Sequence, residues 1–121
     1  MSRESLVIGL VGVCGSGKTT LTNGLKPRGF KVRQIAQEHS YVPDMWRRLT
    51  DPDVLIYLEA SYSTTKQRKT FKWNEKDYQE QLHRLRNAYE HANLHIVTDD
   101  LTPDQVLEIV MVFLDEISRE K

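Results

Sequence analysis

The sequence predicts an α/β fold in which a four-stranded parallel sheet carries helices on both faces. Two observations indicate this fold class. Apolar runs of strand length alternate along the 121 residues with segments of helical periodicity, a pattern typical of parallel sheets. The third run, residues 54–58, is apolar throughout, as a strand buried on both faces must be. We expect one domain over residues 1–121, because that length suits a single hydrophobic core.

The elements of the N-terminal half follow from periodicity and from residues that break helices. A strand over residues 6–11 leads into a glycine-rich loop and a helix whose Leu21 and Leu25 share one face. Pro27 and Gly29 should end that helix. The remaining predicted elements are a strand over residues 30–36, a short helix over 44–49, a strand over 54–58 and a helix from residue 61 onward.

The C-terminal half contains two predicted helices, separated by a strand over residues 94–97. Asn74 should cap the first, and its apolar stripe comprises Tyr78, Leu82, Leu85, Tyr89 and Ala92. A capping box from Thr102 to Gln105 should open the second, and its expected inward face comprises Val106, Ile109, Val110, Phe113 and Ile117. The predicted strand order is 2-1-3-4, which places the ends of the second and third strands on either side of the glycine loop.

The glycine loop fits the phosphate-binding pattern of two glycines enclosing four variable positions, followed by Lys and Thr. Glycines allow successive N–H groups to point at a phosphate, and the following helix adds the positive end of its dipole. Lys18 can follow the β- and γ-phosphates, and the Thr19 hydroxyl is suited to Mg²⁺. The pattern predicts a nucleotide-binding P-loop whose binding residues are Gly12, Val13, Cys14, Gly15, Ser16, Gly17, Lys18, Thr19 and Thr20.

The composition argues against several classes of partner. Lys plus Arg and Asp plus Glu are balanced at 17 each, so no overall field attracts nucleic acid or an anionic membrane. The apolar runs are too short to span a bilayer, and the first strand follows the N-terminus without room for a signal peptide. We therefore expect a cytoplasmic protein that binds neither nucleic acid nor membrane, with a homodimer left open.

Cys14 is the only cysteine and occupies a variable position of the loop. It cannot form an internal disulfide, which suits a reducing compartment. A redox role is one interpretation, because thiols near helix N-termini can be reactive. The other interpretation is that Cys14 acts as a small hydrophobic side chain.

Phosphoryl transfer also needs an acid that holds Mg²⁺ or orients the nucleophile. Glu38 and Glu59 follow predicted strands, at the sheet edge where parallel sheets bind their ligands. Glu38 is the preferred catalytic base and metal ligand, directly or through water, and His39 is an alternative base. The competing interpretations are a solvated loop acid for Glu38 and a favourable helix-dipole contact for Glu59.

Cations near the transferred phosphate are expected from two segments. A basic stretch could form a lid in which Arg68 neutralises transition-state charge, and its cations are Lys66, Arg68, Lys69 and Lys72. A solvated helix face explains the same residues. A second group of candidates lies in and just before the short helix over residues 44–49. Arg47 and Arg48 could clamp phosphate, and Tyr41 and Trp46 could stack on a base or sugar. Core packing is the commoner role of such aromatics.

These features resemble those of small P-loop phosphotransferases of the nucleoside and nucleotide kinase type, in particular thymidylate-kinase-like enzymes. The resemblance rests on the loop at residues 12–19, on the strand entry at residues 51–60, and on residues 96–106. The last stretch is similar to the strand, turn and helix that contact adenine in that group. The resemblance implies ATP as the cofactor, γ-phosphate transfer, and a lid position for Arg68. The absence of Asn-Lys-x-Asp, the signature of guanine-specific GTPases, also favours adenine.

The sequence departs from that family where the acceptor should bind. The strand and helices that receive the acceptor are missing between residues 37 and 53, no strand ends in Asp-Arg, and the lid carries a single Arg. The predicted function is transfer of the ATP γ-phosphate, with Mg²⁺, to a small acceptor near Glu38, His39 and Trp46. Two alternatives stay open: an ATP-binding switch module, and an ATPase that receives an Arg from another subunit of an oligomer.

Overall fold

Four strands form one parallel sheet in the order β2-β1-β3-β4, as predicted. The computed structural model describes residues 6–68 and 72–119, so Lys69 of the predicted lid lies outside the described residues. In register, Ile8 of the central strand pairs with Val32 on one side and Val54 on the other. The strands are β1 (Val7–Gly12), β2 (Lys31–Gln34), β3 (Val54–Glu59) and β4 (Leu94–Val97).

Helices connect the strands and cover both faces of the sheet. Two single turns of 3₁₀-helix, Lys26–Arg28 and Gln37–His39, flank β2. The α-helices are α1 (Lys18–Leu25), α2 (Met45–Leu49), α3 (Tyr62–Arg68), α4 (Glu75–His91) and α5 (Pro103–Arg119). None of these described helices is both long and apolar enough to cross a membrane.

Alternate residues of β3 point into two separate cores. Ile56 and Leu58 pack with α1 and α5 on one face of the sheet. Leu55 and Tyr57 pack with α4 on the other face. This arrangement explains why the run is apolar throughout, because both faces of a central parallel strand are removed from water.

Both predicted helix caps are present. The Asn74 side chain accepts a hydrogen bond from the Asp77 backbone N–H at 2.8 Å, and the Asp77 carboxylate accepts one from the Asn74 N–H. Thr102 and Gln105 make the same reciprocal pair at the start of α5. These caps satisfy backbone donors that have no partner within the helix.

The predicted inward faces of α4 and α5 need correction. In α5, Val110 and Leu114 are buried, whereas Ile109 is 38% exposed. In α4, the buried positions include Gln81 and not Tyr89. The apolar pattern located the buried stripe of each helix only to within about one residue position. Because each residue turns the helix by about 100°, a shift of one position is enough to move a side chain from the core towards solvent. Tyr89 nevertheless packs edge-on against Tyr57, with ring centroids 5.0 Å apart.

Asp99 ties the start of α3 to the end of β4. Its Oδ1 accepts a hydrogen bond from the backbone N–H of Ser61, immediately before α3, at 2.9 Å. Burial alone would raise the pKa of Asp99, but hydrogen bonds from Ser61 and Thr64 and the positive charge of Arg68 lower it overall. The ionised carboxylate therefore stabilises the position of α3.

The buried and exposed faces of α5 predict different costs of truncation. Leu114 is 2% exposed and Ile109 is 38% exposed, so Leu114→Ala should lower the free energy of unfolding by about 2–5 kcal/mol. Ile109→Ala serves as the matched control and should cost less than about 1 kcal/mol. Urea unfolding followed by circular dichroism measures both. Equal losses in the two variants would contradict the buried face described here.

The lowered pKa of Asp99 predicts a pH-dependent contribution to stability. A carboxyl whose pKa is lower in the folded state stabilises the fold above its unfolded pKa, and that contribution disappears as the pH falls through the folded pKa. Asp99→Asn keeps an oxygen acceptor for Ser61 but loses the charge. The wild type should therefore be more stable than this variant near neutral pH, and the gap should close as the pH falls below about 4.

Chemical unfolding at a series of pH values measures that gap. Asp100→Asn changes an exposed neighbouring carboxylate and is the control, expected to stay within about 0.5 kcal/mol of the wild type at neutral pH. A gap between wild type and Asp99→Asn that is the same at neutral and acidic pH would show that the charge of Asp99 does not stabilise α3.

Candidate nucleotide-binding site

The loop between β1 and α1 is held tightly against β3 by glycine. Gly12 has φ of 155°, and a Cβ atom there would overlap the carbonyl oxygen of Leu58 and lie 2.7 Å from Ser16 Oγ. Gly17, which precedes α1, has φ of 105°. Residues other than glycine are strained at such positive φ values. The glycine positions of the motif are therefore required by the backbone path.

Lys18 crosses back over the loop and joins it to the neighbouring strand end. Its Nζ donates to the carbonyl oxygens of Gly12 at 2.6 Å and Val13 at 3.2 Å, and to Glu38 Oε2 at 3.0 Å. The Lys18 side chain is 11% exposed and that of Glu38 is 6% exposed. The structure thus brings together two of the predicted catalytic residues as a largely buried ion pair.

Glu38 sits on the 3₁₀ turn that follows β2, and Gln37 fixes that turn. Gln37 is fully buried, its Nε2 donates to Val42 O at 2.8 Å, and its Oε1 accepts from the Trp46 backbone N–H at 2.9 Å. Glu38 itself is 4% exposed. Its Oε1 has no hydrogen-bond partner among the described residues. That oxygen is buried, and a cation or a hydroxyl donor bound to it would satisfy it.

Thr19 and Thr20, both exposed, open onto a cavity of about 530 Å³ above the loop, which we call the loop cavity. Thr19 Oγ1 donates to Gln34 Oε1 at 3.1 Å. The walls of the loop cavity are built from Cys14, Gly15, Gly17, Lys18, Thr19, Thr20, Gln34, Glu38 and Arg68. Most of the predicted nucleotide-binding residues and all three predicted catalytic residues therefore line one space.

Arg68, at the end of α3, reaches the loop from the opposite side to Glu38. Its Nη1 donates to the Gly15 carbonyl oxygen at 2.9 Å and to Thr98 Oγ1 at 3.2 Å, and its Nη2 donates to the Thr98 carbonyl oxygen at 3.1 Å. Arg68 is nevertheless an exposed residue, so it also remains on a solvated helix face, the alternative given for it. Lys66 is different, because its Nζ lies 5.8 Å from the centroid of the Tyr62 ring on the same helix.

Thr98 lies in the stretch that resembles an adenine-contacting segment, but no role was predicted for its side chain. It is 3% exposed, and its hydroxyl lies 3.1 Å from the Ser16 carbonyl oxygen and 3.2 Å from that of Glu59. It therefore joins the loop, β3 and Arg68 at one point. The available signal was its place, directly after β4 at the carboxyl edge of the sheet.

A second, mainly apolar cavity adjoins the loop next to Arg68. It has a volume of about 240 Å³, and we call it the apolar cavity. Its walls come from the loop, α1, α3 and the start of α5: Ser16, Gly17, Thr20, Leu21, Arg68, Thr98, Leu101, Pro103 and Val106. The stretch predicted to contact adenine thus supplies one wall.

A third cavity, of about 260 Å³, opens on the other side of Cys14, and we call it the side cavity. Gln81 of α4 holds Cys14 at its edge, because its Oε1 accepts from the Cys14 backbone N–H at 2.9 Å and its Nε2 donates to Sγ at 3.3 Å. The side cavity is lined by Cys14, His39, Lys72, Trp73, Asp77, Glu80, Gln81 and Arg84. No sequence pattern indicated a role for Gln81 or Arg84, because the prediction of α4 rested on its apolar residues.

The structure does not bring the second predicted set of cations and aromatics to the site. Trp46 is 5% exposed, and its indole N–H donates to Asn87 Oδ1 at 2.9 Å, so it belongs to the core. Arg47 stacks on Trp46, and Arg48 pairs with Asp44 at 2.9 Å. None of these residues lines the three cavities. The core-packing alternative therefore describes Trp46, whose buried ring is not placed to stack on a base or sugar.

Glu59 and Tyr41 also lie apart from the loop cavity. Glu59 ends β3, where its carbonyl oxygen accepts from the Thr98 N–H at 2.8 Å, and it does not line the loop cavity. Tyr41 is 85% exposed, with the Arg84 guanidinium 4.5 Å from its ring centroid. Of the two candidate acids, only Glu38 reaches the phosphate-binding loop.

Comparison with known proteins agrees with this geometry. The model of a family described as an AAA domain matches residues 8–114, which extend from β1 into α5 and include the whole glycine loop. No curated protein gives a significant match to the sequence. The match covers most of the chain, including every strand of the sheet and all three cavities. The chain therefore belongs to the AAA domain family and is a nucleotide-binding P-loop NTPase domain.

Proposed function

We propose that the protein binds ATP with Mg²⁺ and transfers the γ-phosphoryl group to a small acceptor. The observation that supports this proposal most directly is the contact between Lys18 and Glu38, 3.0 Å apart at the floor of the loop cavity. A cation suited to phosphates and a carboxylate suited to a hydroxyl proton thus meet at one point.

The phosphates would be held by the loop and by the first turn of α1. The backbone N–H groups and the positive end of the α1 dipole favour negative charge there. Lys18 now uses carbonyl oxygens and Glu38 as acceptors, and phosphate oxygens would share its three N–H donors. Arg68, hydrogen-bonded to Gly15, is placed to neutralise charge on the transferred group.

The residues present fit a Mg²⁺ ion. The Thr19 hydroxyl and the unpartnered Oε1 of Glu38 are hard oxygen ligands, and Mg²⁺ prefers one or two such protein ligands together with phosphate and water. Thr19 and Glu38 would hold the ion, which would supply positive charge to offset that of the phosphates. Glu38 would reach it directly or through a water molecule.

ATP is the proposed nucleotide because of the apolar cavity. Leu101, Pro103 and Val106 give it apolar walls, and Arg68 also lines it. Flat aromatic bases are favoured by apolar walls, and guanidinium groups stack on them. The sequence also lacks the Asn-Lys-x-Asp guanine signature.

The side cavity is the proposed acceptor site, which replaces the expected location near Trp46. Its walls carry cations (Lys72, Arg84), carboxylates (Asp77, Glu80) and the amide of Gln81, a set suited to a small polar molecule. The acceptor hydroxyl oxygen would attack the γ-phosphorus as the bond to the β-phosphate oxygen breaks. Glu38 would take the hydroxyl proton, and ADP would leave. His39, whose Nε2 is 3.9 Å from Glu38 Oε2, is the alternative base.

Loss of Lys18 should remove phosphoryl transfer. Lys18→Ala takes away a charge that contacts both the loop and Glu38, and the loss of one such electrostatic contact costs about 3 kcal/mol, or on the order of a hundredfold in rate. Transfer is measured with ATP–Mg²⁺ and nucleotide affinity with a fluorescent ATP analogue. Lys31→Ala, on the exposed face of β2, is the matched control and should behave like the wild type. Unchanged transfer and affinity in Lys18→Ala would contradict the assignment of the loop.

The acceptor is tested by incubating the protein with ATP–Mg²⁺ and a panel of nucleosides, nucleotides and small hydroxyl metabolites. Mass spectrometry should detect one phosphorylated product, and Glu38→Gln should slow its formation by about a hundredfold or more. Glu108→Gln, on the exposed side of α5, is the control. ADP and phosphate without a product would identify an ATPase instead. Absence of any ATP loss would favour a binding module and would refute the transferase proposal.

A further inference from the structure

We infer that Cys14, Glu38 and His39 form a binding site for a thiophilic divalent cation of the Zn²⁺ class. Their potential ligand atoms all lie within 4.8 Å of one another. The Cys14 Sγ is 3.5 Å from His39 Nε2 and 4.0 Å from Glu38 Oε2, and Nε2 is 3.9 Å from Oε2. The three residues come from two segments of chain that the sheet brings together, the P-loop and the turn after β2.

These separations are close to those of a tetrahedral zinc site. Bond lengths of about 2.3 Å to sulfur and about 2.0–2.2 Å to nitrogen and oxygen place tetrahedral ligand atoms about 3.3–3.6 Å apart. The sulfur and the imidazole nitrogen already have that spacing, at 3.5 Å. The carboxylate oxygen has to approach by about 0.5 Å, which small side-chain rotations of Glu38 and His39 can supply.

The Glu38 carboxylate faces Cys14 and His39 with Oε2, and its other oxygen, Oε1, has no partner among the described residues, which also favours a bound cation. Glu38 is 4% exposed and its Oε1 makes no hydrogen bond with the described residues. Lys18 engages only Oε2. A buried carboxylate oxygen without a partner costs free energy, and coordination of a cation would offset that cost. Because a carboxylate offers about four lone-pair positions, Lys18 and a metal ion can bind it together.

Neighbouring residues already orient the ligands. Gln81 Nε2 donates to Cys14 Sγ at 3.3 Å while its Oε1 fixes the Cys14 backbone. Lys18 holds Glu38 at 3.0 Å. Hydrogen bonds of this kind fix the orientation of metal ligands and commonly change metal affinity by about 10–100-fold. The site is therefore arranged before a cation arrives.

The chemistry of the ligands selects the class of cation. Thiolate and imidazole prefer Zn²⁺, Co²⁺ and similar ions, whereas Mg²⁺ prefers oxygen ligands. On binding, the thiol proton is released to solvent and the sulfur–metal bond replaces the S–H bond. Three protein ligands leave a fourth position for water. The site therefore shares Glu38 with the proposed Mg²⁺ position but differs from it in the other ligands, which are Cys14 and His39 here and Thr19 there.

The location gives the site a consequence for activity. Cys14 lines both the loop cavity and the side cavity, so the cation would lie where the two cavities meet. Under the proposed function, it would occupy the carboxylate that takes the acceptor proton and would inhibit transfer. That consequence rests on the proposed function, whereas the metal site itself does not.

Binding is tested by titrating the full chain with CoCl₂ in the presence of a non-thiol reductant. One equivalent of Co²⁺ should produce an intense near-ultraviolet band from thiolate-to-metal charge transfer, and ZnCl₂ should remove it by competition. Cys14→Ser should abolish the band and weaken Zn²⁺ binding, measured against a chromophoric chelator, by at least about a hundredfold. A wild-type protein that binds Co²⁺ without the band would overturn the proposal.

Histidine variants provide the matched comparison. The His39 side chain is 58% exposed, so His39→Ala should keep the fold, confirmed by thermal melting without metal, and lose at least tenfold in Zn²⁺ affinity (about 1.4 kcal/mol). His83→Ala removes another exposed imidazole and should bind Zn²⁺ like the wild type. Equal weakening in both variants, or in neither, would show that His39 is not a ligand.

Discussion

The buried contact between Lys18 and Glu38 connects the elements on which the site depends. Lys18 begins α1 and Glu38 follows β2, so their ion pair at 3.0 Å joins the phosphate-binding loop to the edge of the sheet. Removing one partner of a buried pair leaves an uncompensated charge, which typically costs about 3–5 kcal/mol. Both residues must therefore be positioned accurately by the rest of the fold. The sheet supplies that accuracy, because β1 and β2 pair directly in parallel register.

Two polar side chains buried beneath the loop hold it from opposite sides. Gln81 of α4 satisfies both the backbone N–H and the sulfur of Cys14. Thr98, after β4, lies between the carbonyl oxygens of Ser16 and Glu59 and accepts a hydrogen bond from Arg68. Buried polar groups of this kind are costly unless they are paired. Their pairing explains how a loop rich in glycine keeps one conformation.

The positions of the cavities follow from the strand order. The loop lies between the ends of β2 and β3, and spaces open on both sides of it. Leu101, Pro103 and Val106 border the space next to Arg68, whereas mostly charged and polar side chains border the space next to Cys14 and His39. Because the walls differ, the nucleobase is assigned to the apolar cavity and the phosphate acceptor to the side cavity. The same arrangement places Cys14 at the boundary, where a thiol, an imidazole and a carboxylate converge.

The sequence by itself determined the elements that depend on local chemistry. The glycine pattern, the two helix caps and the alternation of apolar runs specify the loop, the helix starts and the parallel sheet, because each depends on residues close together in the chain. Only the tertiary structure decided which polar residues reach the loop. Gln81 is 67 residues from Cys14 in the chain, and Thr98 is 82 residues from Ser16, so no local pattern links them. For the same reason the sequence did not show that Trp46 is buried and Ile109 exposed, because the burial of an apolar side chain depends on what packs against it.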